Sequence, residues 1–281
     1  MNNFALYLNE TTPEVESTLE HLKLLAVKER VNFLLFDEQF VYKSWFPVMT
    51  GDTKIDCILV LGGDGTILRA VKYSLKYQAP LLGINLGHLG FLSEGNLSDL
   101  ERSIHDLRDN KYKILSRMML KATVKRAEYP SKSYLALNDV VISKGESPKL
   151  INLKVYSDRR YVYSARCDGM IAASPTGSTA YALSAGGPII SPVMDAIVVV
   201  PITPHVLTVR PLVFPPDVNI TFVIEGDHEN CCLQVDGCNY EHLQDRDMIS
   251  ITSSSKKVDF IKLSNRTFYK VLRQKMHLGR R

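Results

Sequence analysis

Apolar positions along this chain recur in two rhythms. Phe4 to Leu8 alternates weakly and predicts an opening strand. From Pro13 to Lys28, Val15, Leu19, Leu22 and Ala26 share one helical face, with Glu in the first turn and Lys near the end. Val31 to Phe36 predicts a second strand, residues 37–53 are irregular, and Gly51-Asp52 marks a turn. The run Ile58 to Leu61 predicts a buried strand that stops at Gly62-Gly63-Asp64-Gly65. Helical spacing resumes at once through Ile67, Leu68, Val71 and Leu75. Ala79 to Asn85 predicts another strand, and Leu97 to Asn110 a helix with Ser98 as cap and Asp99 and Glu101 in its first turn. Strands alternating with helices predict parallel βαβ units, hence an α/β N-terminal domain over residues 1–112. Such sheets bind ligands at the carboxyl ends of their strands. The glycine turns at 62–65 and 87–90 both lie at such ends.

The rhythm then changes. Short β-rich runs follow: Met119 to Val124, Asn138 to Ser143, Ile151 to Tyr156, Tyr161 to Ala165, Val218 to Ile224 and Met248 to Thr252. Turn-forming residues at 129–132, 157–160 and 225–228 separate them. This predicts a β-rich, sandwich-like C-terminal domain over residues 113–262, with one helix at Ser178 to Ser184. The segment 263–281 is a basic tail with some helical spacing, whose charge reads as a solvated face.

Composition narrows the function classes. The chain has 281 residues, 45% of them hydrophobic and 23% charged, enough for about two soluble domains. Its 34 basic and 30 acidic residues give a net charge of +4, too balanced to argue for nucleic acid. No apolar run approaches a membrane span, and the N-terminus lacks the pattern of a signal peptide, so the expected location is cytoplasmic. The five cysteines, Cys57, Cys167, Cys231, Cys232 and Cys238, form neither a disulfide framework nor a zinc spacing, and read as reduced, mostly buried thiols.

Two stretches carry candidate chemistry. In the turn at 62–65, glycines permit positive φ and close approach, and a helix start offers N–H groups to phosphate. An acid there is electrostatically awkward. Asp64 therefore either caps the helix or serves chemistry, holding a metal or accepting a proton, and this stretch alone leaves the two readings even. The second stretch, 166–190, gathers Ser174, Thr176, Ser178, Thr179 and Ser184 with several glycines around Tyr181, and Asp168 stands just upstream. Hydroxyls and backbone N–H groups in that density favour binding of phosphate or sugar oxygens over a merely solvated loop. There is no P-loop, no complete Gly-x-Gly-x-x-Gly, no Gly-x-Ser-x-Gly and no His-Glu-x-x-His. His88 and His205 lie near the candidate site and read as local hydrogen-bonding residues.

Together these stretches resemble the NAD kinases. The resemblance rests on Gly-Gly-Asp-Gly-Thr (62–66), Asn-Leu-Gly-His-Leu-Gly-Phe-Leu (85–92), Asn-Asp-Val-Val-Ile (138–142) and Asp-Gly-Met-Ile-Ala-Ala-Ser-Pro-Thr-Gly-Ser-Thr-Ala-Tyr (168–181). Pro-Ile-Thr-Pro-His (201–205), Arg-Pro-Leu-Val (210–213) and Val-Asp-Gly (235–237) add to it. Two departures are small: Ala173 stands where Thr is frequent, and Asp139 where Glu is common. The resemblance implies transfer of the γ-phosphate of ATP to the 2′-hydroxyl of the adenosine ribose of NAD, at an active site in the cleft between the domains. It implies that Asp64 accepts the proton of that hydroxyl, and that Gly63 and Gly65 leave room for the substrates. It places Gly65, Phe91, Asn138, Asp139, Asp168, Thr176, Thr179, Ala180, Tyr181 and Asp236 around NAD, with Asn138 and Asp139 at adenine and ribose and Asp168 at the carboxamide. Gly62, Gly63 and Arg166 would face the ATP phosphates, with Arg210 a further cation. Mg²⁺ would accompany ATP without a dedicated protein site, and a homo-oligomer, dimer or tetramer, is expected, with the tail returning to the N-terminal domain. Two alternatives share single features. A lipid kinase has the glycine motif but lacks the 168–187 pattern, and a non-catalytic NAD sensor leaves Asp64 without a purpose.

Overall fold

The computed structural model describes residues 1–9, 13–50, 53–87, 90–127, 129–226, 230–264 and 266–277. The expected turn at Gly51-Asp52, His88, and part of the turn at 225–228 lie outside the described residues. The chain divides into two compact units, Met1–Ser116 with Val258–Arg281, and Arg117–Lys257.

The first unit is an α/β layer. Its strands are β1 (Asn3–Leu8), β2 (Asn32–Leu35), β3 (Cys57–Leu61), β4 (Leu81–Asn85) and the short β5 (Gly95–Asn96). Its helices are α1 (Val15–Glu29), α2 (Asp64–Tyr77) and α3 (Leu100–Arg108). The strands pair in parallel in the order β2-β1-β3-β4, with β5 beside β4. Every residue of β3 and β4 is buried, which is why both read as continuous apolar runs without alternation. One sheet face, including Leu59, Leu61, Leu82 and Ile84, shares a core with Leu19 and Leu22 of α1 and Leu100, Ile104 and Leu107 of α3. The other face receives α2. A Cβ on Gly83 would stand 2.4 Å from Ile67 Cδ1, so glycine at this strand position lets α2 sit close. Residues 37–42, expected to be irregular, form a 3₁₀ turn. The helix at 97–110 starts as a 3₁₀ turn with Asn96 as its cap, and the Asp99 carboxylate accepts the Asn96 N–H at 3.0 Å, so the cap is not Ser98.

The second unit is β-rich. It contains β6 (Lys113–Lys125), β7 (Lys132–Ala136), β8 (Asp139–Ser143), β9 (Ile151–Ser157), β10 (Arg160–Cys167), β11 (Gly169–Ala173), β12 (Ile197–Ile202), β13 (Leu212–Phe214), β14 (Ile220–Glu225), β15 (Cys232–Val235), β16 (Cys238–His242) and β17 (Met248–Lys262), the two longest strands extending past its boundaries. One antiparallel set runs β10-β9-β14-β17 and the other β13-β12-β11-β8-β15-β16. Their facing side chains, among them Val140, Ile142, Leu153, Val155, Met170, Phe222, Ile224 and Leu233, form one core, as a sandwich-like arrangement requires. The second set is apolar on its other face too. There Val141, Ile171, Val198 and Val200 pack with Ala182 of the short helix α4 (Tyr181–Ser184) and Ile190. This two-sided burial hid β11 and β12 from a search for alternation.

After β17 the chain forms α5 (Phe268–Met276). Within the first unit, Glu94 fastens its approach. One Glu94 oxygen accepts the N–H groups of Leu263 (3.0 Å) and Ser264 (2.6 Å), and the other accepts from Lys262 Nζ at 2.8 Å. Glu94→Ala leaves these donors unanswered and should lower unfolding stability by about 2–4 kcal/mol, measured by urea denaturation.

Candidate active site

Asp64 is the first residue of α2, and Gly63 before it takes the cap position with extended backbone. The Gly63 carbonyl accepts the N–H groups of Thr66 (2.9 Å) and Ile67 (3.1 Å). The Asp64 carboxylate does no capping. It reaches across to the backbone just after Gly90, where Oδ2 accepts the Phe91 N–H at 2.8 Å and Oδ1 the Leu92 N–H at 3.1 Å. One bond to each oxygen leaves further lone pairs on both for another donor. Gly90 makes the approach possible, because a Cβ there would lie 1.8 Å from Asp64 Oδ1. Gly62 is required as well: its φ is +157°, and a Cβ would lie 2.6 Å from Thr66 Oγ1. Gly63 and Gly65 differ. Among the described residues a Cβ on Gly63 meets nothing within 4 Å, and one on Gly65 meets only Arg69 Nη1 at 4.0 Å. Packing does not demand glycine at either place, so the open surface beside Asp64 is available to a ligand.

The second unit builds its site around another carboxylate. Asp236 and Gly237 join β15 to β16 with positive φ at both residues, as a tight hairpin turn needs. From there Asp236 accepts the N–H groups of Leu137 (2.8 Å), Asn138 (2.8 Å) and Asp139 (3.1 Å). It thereby fixes the backbone entering β8, a positioning role that its sequence context did not reveal. Asp139 is buried and receives no side-chain hydrogen bond among the described residues. Burial, then the neighbouring charge of Asp236, pushes its carboxyl up to about 7. Burial also raises Asp236.

Residues 174–179 are fastened to this entry. Ser174 N–H donates to the Asn138 carbonyl at 2.8 Å, and its hydroxyl donates to the Leu137 carbonyl. A Cβ on Gly177 would stand 2.0 Å from the Asn138 oxygen, so only glycine permits the contact. Ser178 Oγ bonds the Pro175 carbonyl at 2.7 Å and receives the Ile190 N–H at 3.0 Å. Thr179 Oγ1 donates to the Thr176 carbonyl at 3.2 Å. Three of the hydroxyls expected to serve a ligand therefore serve the backbone instead. Thr176 is buried, Thr179 and Ala180 are half-buried, and Tyr181 is exposed.

Asp168 precedes β11 and pairs with Lys144 Nζ at 2.7 Å, while the Thr203 hydroxyl donates to it. The Lys144 ammonium beside it holds its carboxyl below the ordinary value. Ala173 pairs with Asp139 and Gly169 with Ser143, so Asp168 and Asp139 mark opposite ends of the β8–β11 pair. Strand rise puts them roughly 15 Å apart. Arg166 is exposed on β10, and its carbonyl accepts the His205 N–H at 2.8 Å. The Arg210 guanidinium donates to the carbonyls of Leu207 and Val209 in its own loop.

Among the described residues no three His, Cys, Asp or Glu side chains cluster so as to hold a metal. All five cysteines are free. Cys57, Cys167 and Cys231 are buried, Cys232 is half-buried and Cys238 is exposed. No helix among the described residues is long and apolar enough to cross a membrane.

The raised Asp139 carboxyl gives a stability test. The folded state holds this proton more tightly than the unfolded chain does, so the contribution is complete below about pH 4 and is lost as pH rises toward about 7. Asp139→Asn should match the wild type in stability near pH 4 and exceed it at pH 8 by up to about 4 kcal/mol, checked by thermal unfolding at both pH values.

The family model for the ATP-NAD kinase N-terminal domain matches residues 15–112, and that for the C-terminal domain matches residues 137–263. An NAD kinase of Desulforamulus reducens is 36% identical over 280 residues, covering 98% of this chain and 97% of its own. One from Heliobacterium modesticaldum is 41% identical over 227 residues, covering 81% and 80%. Among solved structures, yeast NADH kinase complexed with NADH superposes with a TM-score of 0.86 at 29% identity, over 99% of this chain and 87% of that one. An NAD kinase from Archaeoglobus fulgidus in complex with ATP gives 0.76 at 25% identity, over 98% of both chains.

Proposed function

This chain belongs to the NAD kinase family, and on that footing we propose how its residues divide the work. It is a phosphotransferase with an alcohol acceptor. The γ-phosphate of ATP passes to the 2′-hydroxyl of the adenosine ribose of NAD, giving NADP and ADP.

Asp64 accepts the proton of the attacking hydroxyl. One observation carries this role: a carboxylate aimed by two backbone amides beside two glycines that packing does not demand. The amides fix its orientation before substrate arrives, and fixed orientation is most of what phosphoryl transfer asks of a protein. The free lone pairs take the hydroxyl hydrogen. Gly63 and Gly65 leave space for the reacting groups, Gly62 shapes the turn, and the Phe91 ring packs against the dinucleotide.

NAD is recognised by the second unit. The unpartnered Asp139 carboxylate takes a ribose hydroxyl and, with Asn138 and Thr176, meets the adenine edge, while Asp236 holds their backbone in place. Asp168, oriented by Lys144, accepts from the carboxamide, and Thr179, Ala180 and Tyr181 line the nicotinamide and its ribose. The two ends of the β8–β11 pair are far enough apart to take the two ends of a dinucleotide. Arg166 faces phosphate in this proposal. Mg²⁺ enters with ATP as part of the substrate, neutralising phosphate charge. The only acid of the turn, Asp64, is already clamped by amides, so the phosphates supply the ligands. A homo-oligomeric, cytoplasmic enzyme is proposed from the family resemblance.

Asp64→Asn keeps the shape and amide clamp on one oxygen but cannot take a proton. It should lower kcat by about 10²–10⁴-fold and leave NAD affinity unchanged, read by a coupled NADP assay and by calorimetry. Turnover near the wild-type value would remove Asp64 from the base role.

A further inference from the structure

One buried hydroxyl of the first unit stands beside the clamp on Asp64 without touching Asp64 itself. The Ser93 oxygen accepts the Gly90 N–H at 2.9 Å, and Ser93 is buried. The next two amides along the chain, of Phe91 and Leu92, are those that hold the Asp64 carboxylate. Three consecutive N–H groups therefore take side-chain acceptors, two of them on a carboxylate and one on a hydroxyl. Amides gathered in this way attract negative charge. Gly90 is buried, so its N–H needs an acceptor inside the protein.

Ser93 has a firm footing. The Glu94 N–H donates to the Gly83 carbonyl at 2.8 Å, and Gly95 pairs with Ile84, so the chain just after Ser93 is tied to β4. A Cβ on Gly83 would stand 3.2 Å from Ser93 Cα and 2.4 Å from Ile67 Cδ1. Gly83 is thus the place on β4 where both Ser93 and α2 are seated, and α2 begins with Asp64. The helix that carries the carboxylate and the segment that holds it rest on one glycine.

The hydroxyl also keeps a competitor away. A carboxylate offers about four lone-pair sites, and the amides of Phe91 and Leu92 take two of them. Without Ser93 Oγ the buried Gly90 N–H has the Asp64 carboxylate at hand, whose Oδ1 lies 1.8 Å from where a Cβ on Gly90 would stand. A third amide on that carboxylate would draw it toward Gly90 and fill a site that the attacking hydroxyl needs. Serine answers the amide without placing a second negative charge beside the phosphates.

We propose that Ser93 is a positioning residue for phosphoryl transfer: by holding the Gly90 N–H it keeps the Asp64 carboxylate aligned and its remaining lone pairs free for the acceptor hydroxyl. This rests on the kinase reading above and adds to it a residue that acts through Asp64.

The test compares wild type, Ser93→Ala, Asp64→Asn and the double variant. Steady-state kinetics gives kcat, calorimetry gives the Kd for NAD, and amide hydrogen exchange followed by NMR reads Gly90, Phe91 and Leu92. Ser93→Ala should lower kcat about 10–100-fold, leave the Kd for NAD unchanged and speed exchange at the three amides. In the Asp64→Asn background, removing the hydroxyl should change the residual turnover by less than about twofold, because the group it positions is already disabled. A wild-type kcat in Ser93→Ala would overturn the proposal. So would an equal fractional loss in both backgrounds, or a fall in NAD affinity matching the fall in kcat, since each reports a merely structural role. Should Ser93→Ala not fold, Ser93→Cys keeps the shape with a weaker acceptor, and the same outcomes decide with a smaller expected loss. If wild type forms no NADP, the kinase reading fails instead, and amide exchange at 90–92 still decides whether Ser93 holds this segment.

Discussion

The first unit depends on one carboxylate crossing from the start of a helix to the backbone of a neighbouring turn. Asp64 joins its own glycine turn to the backbone just after Gly90 through the amides of Phe91 and Leu92, at 2.8 and 3.1 Å. Charge-assisted bonds to backbone amides are strong and directional, so the arrangement fixes the carboxylate against the backbone at Phe91 and Leu92. The surrounding glycines then have different physical reasons. Gly62 and Gly90 are demanded by sterics inside the protein, whereas Gly63 and Gly65 leave surface that nothing among the described residues fills. In our proposal that contrast, rather than glycine content as such, marks where a substrate fits.

The second unit uses the same device for another end. Asp236 gathers three consecutive amides and sets the backbone of Asn138 and Asp139. What it positions is a buried carboxylate without a described donor, Asp139. A buried acid with unmet hydrogen-bonding capacity carries a free-energy cost in the ligand-free protein. A ribose hydroxyl would relieve that cost on binding. In the proposed division of work one aspartate in each case orients: Asp64 is fixed for chemistry, and Asp236 fixes its neighbours for recognition.

Much of this was legible in the sequence. The strand, glycine turn and helix at 58–75 followed from a buried apolar run meeting helical spacing, and the resemblance placed the chain among the NAD kinases. Other features depend on contacts between distant residues and leave no local trace. The partners of Asp64 lie 27 and 28 positions away, and those of Asp236 about a hundred. The Ser/Thr-rich stretch looked like a set of ligand donors, yet Ser174, Ser178 and Thr179 are spent on carbonyls of the fold. Composition cannot tell a hydroxyl that faces a ligand from one that closes a turn. Strands β11 and β12 were hidden because burial on both faces removes alternation. The Asp-Gly pair at 236–237 did hold a usable signal, since it marks a tight hairpin.

The central claim is that catalysis depends on the carboxylate of Asp64 being held in place by the turn at 90–92. Gly90→Ala tests it most directly, because the added methyl must displace that carboxylate while the second-unit side chains proposed to recognise NAD are unaltered. The account predicts a fall in kcat on the order of a hundredfold with NAD affinity unchanged, as expected when a catalytic group is misplaced by about an ångström. A Gly90→Ala protein that retains the wild-type kcat would contradict it.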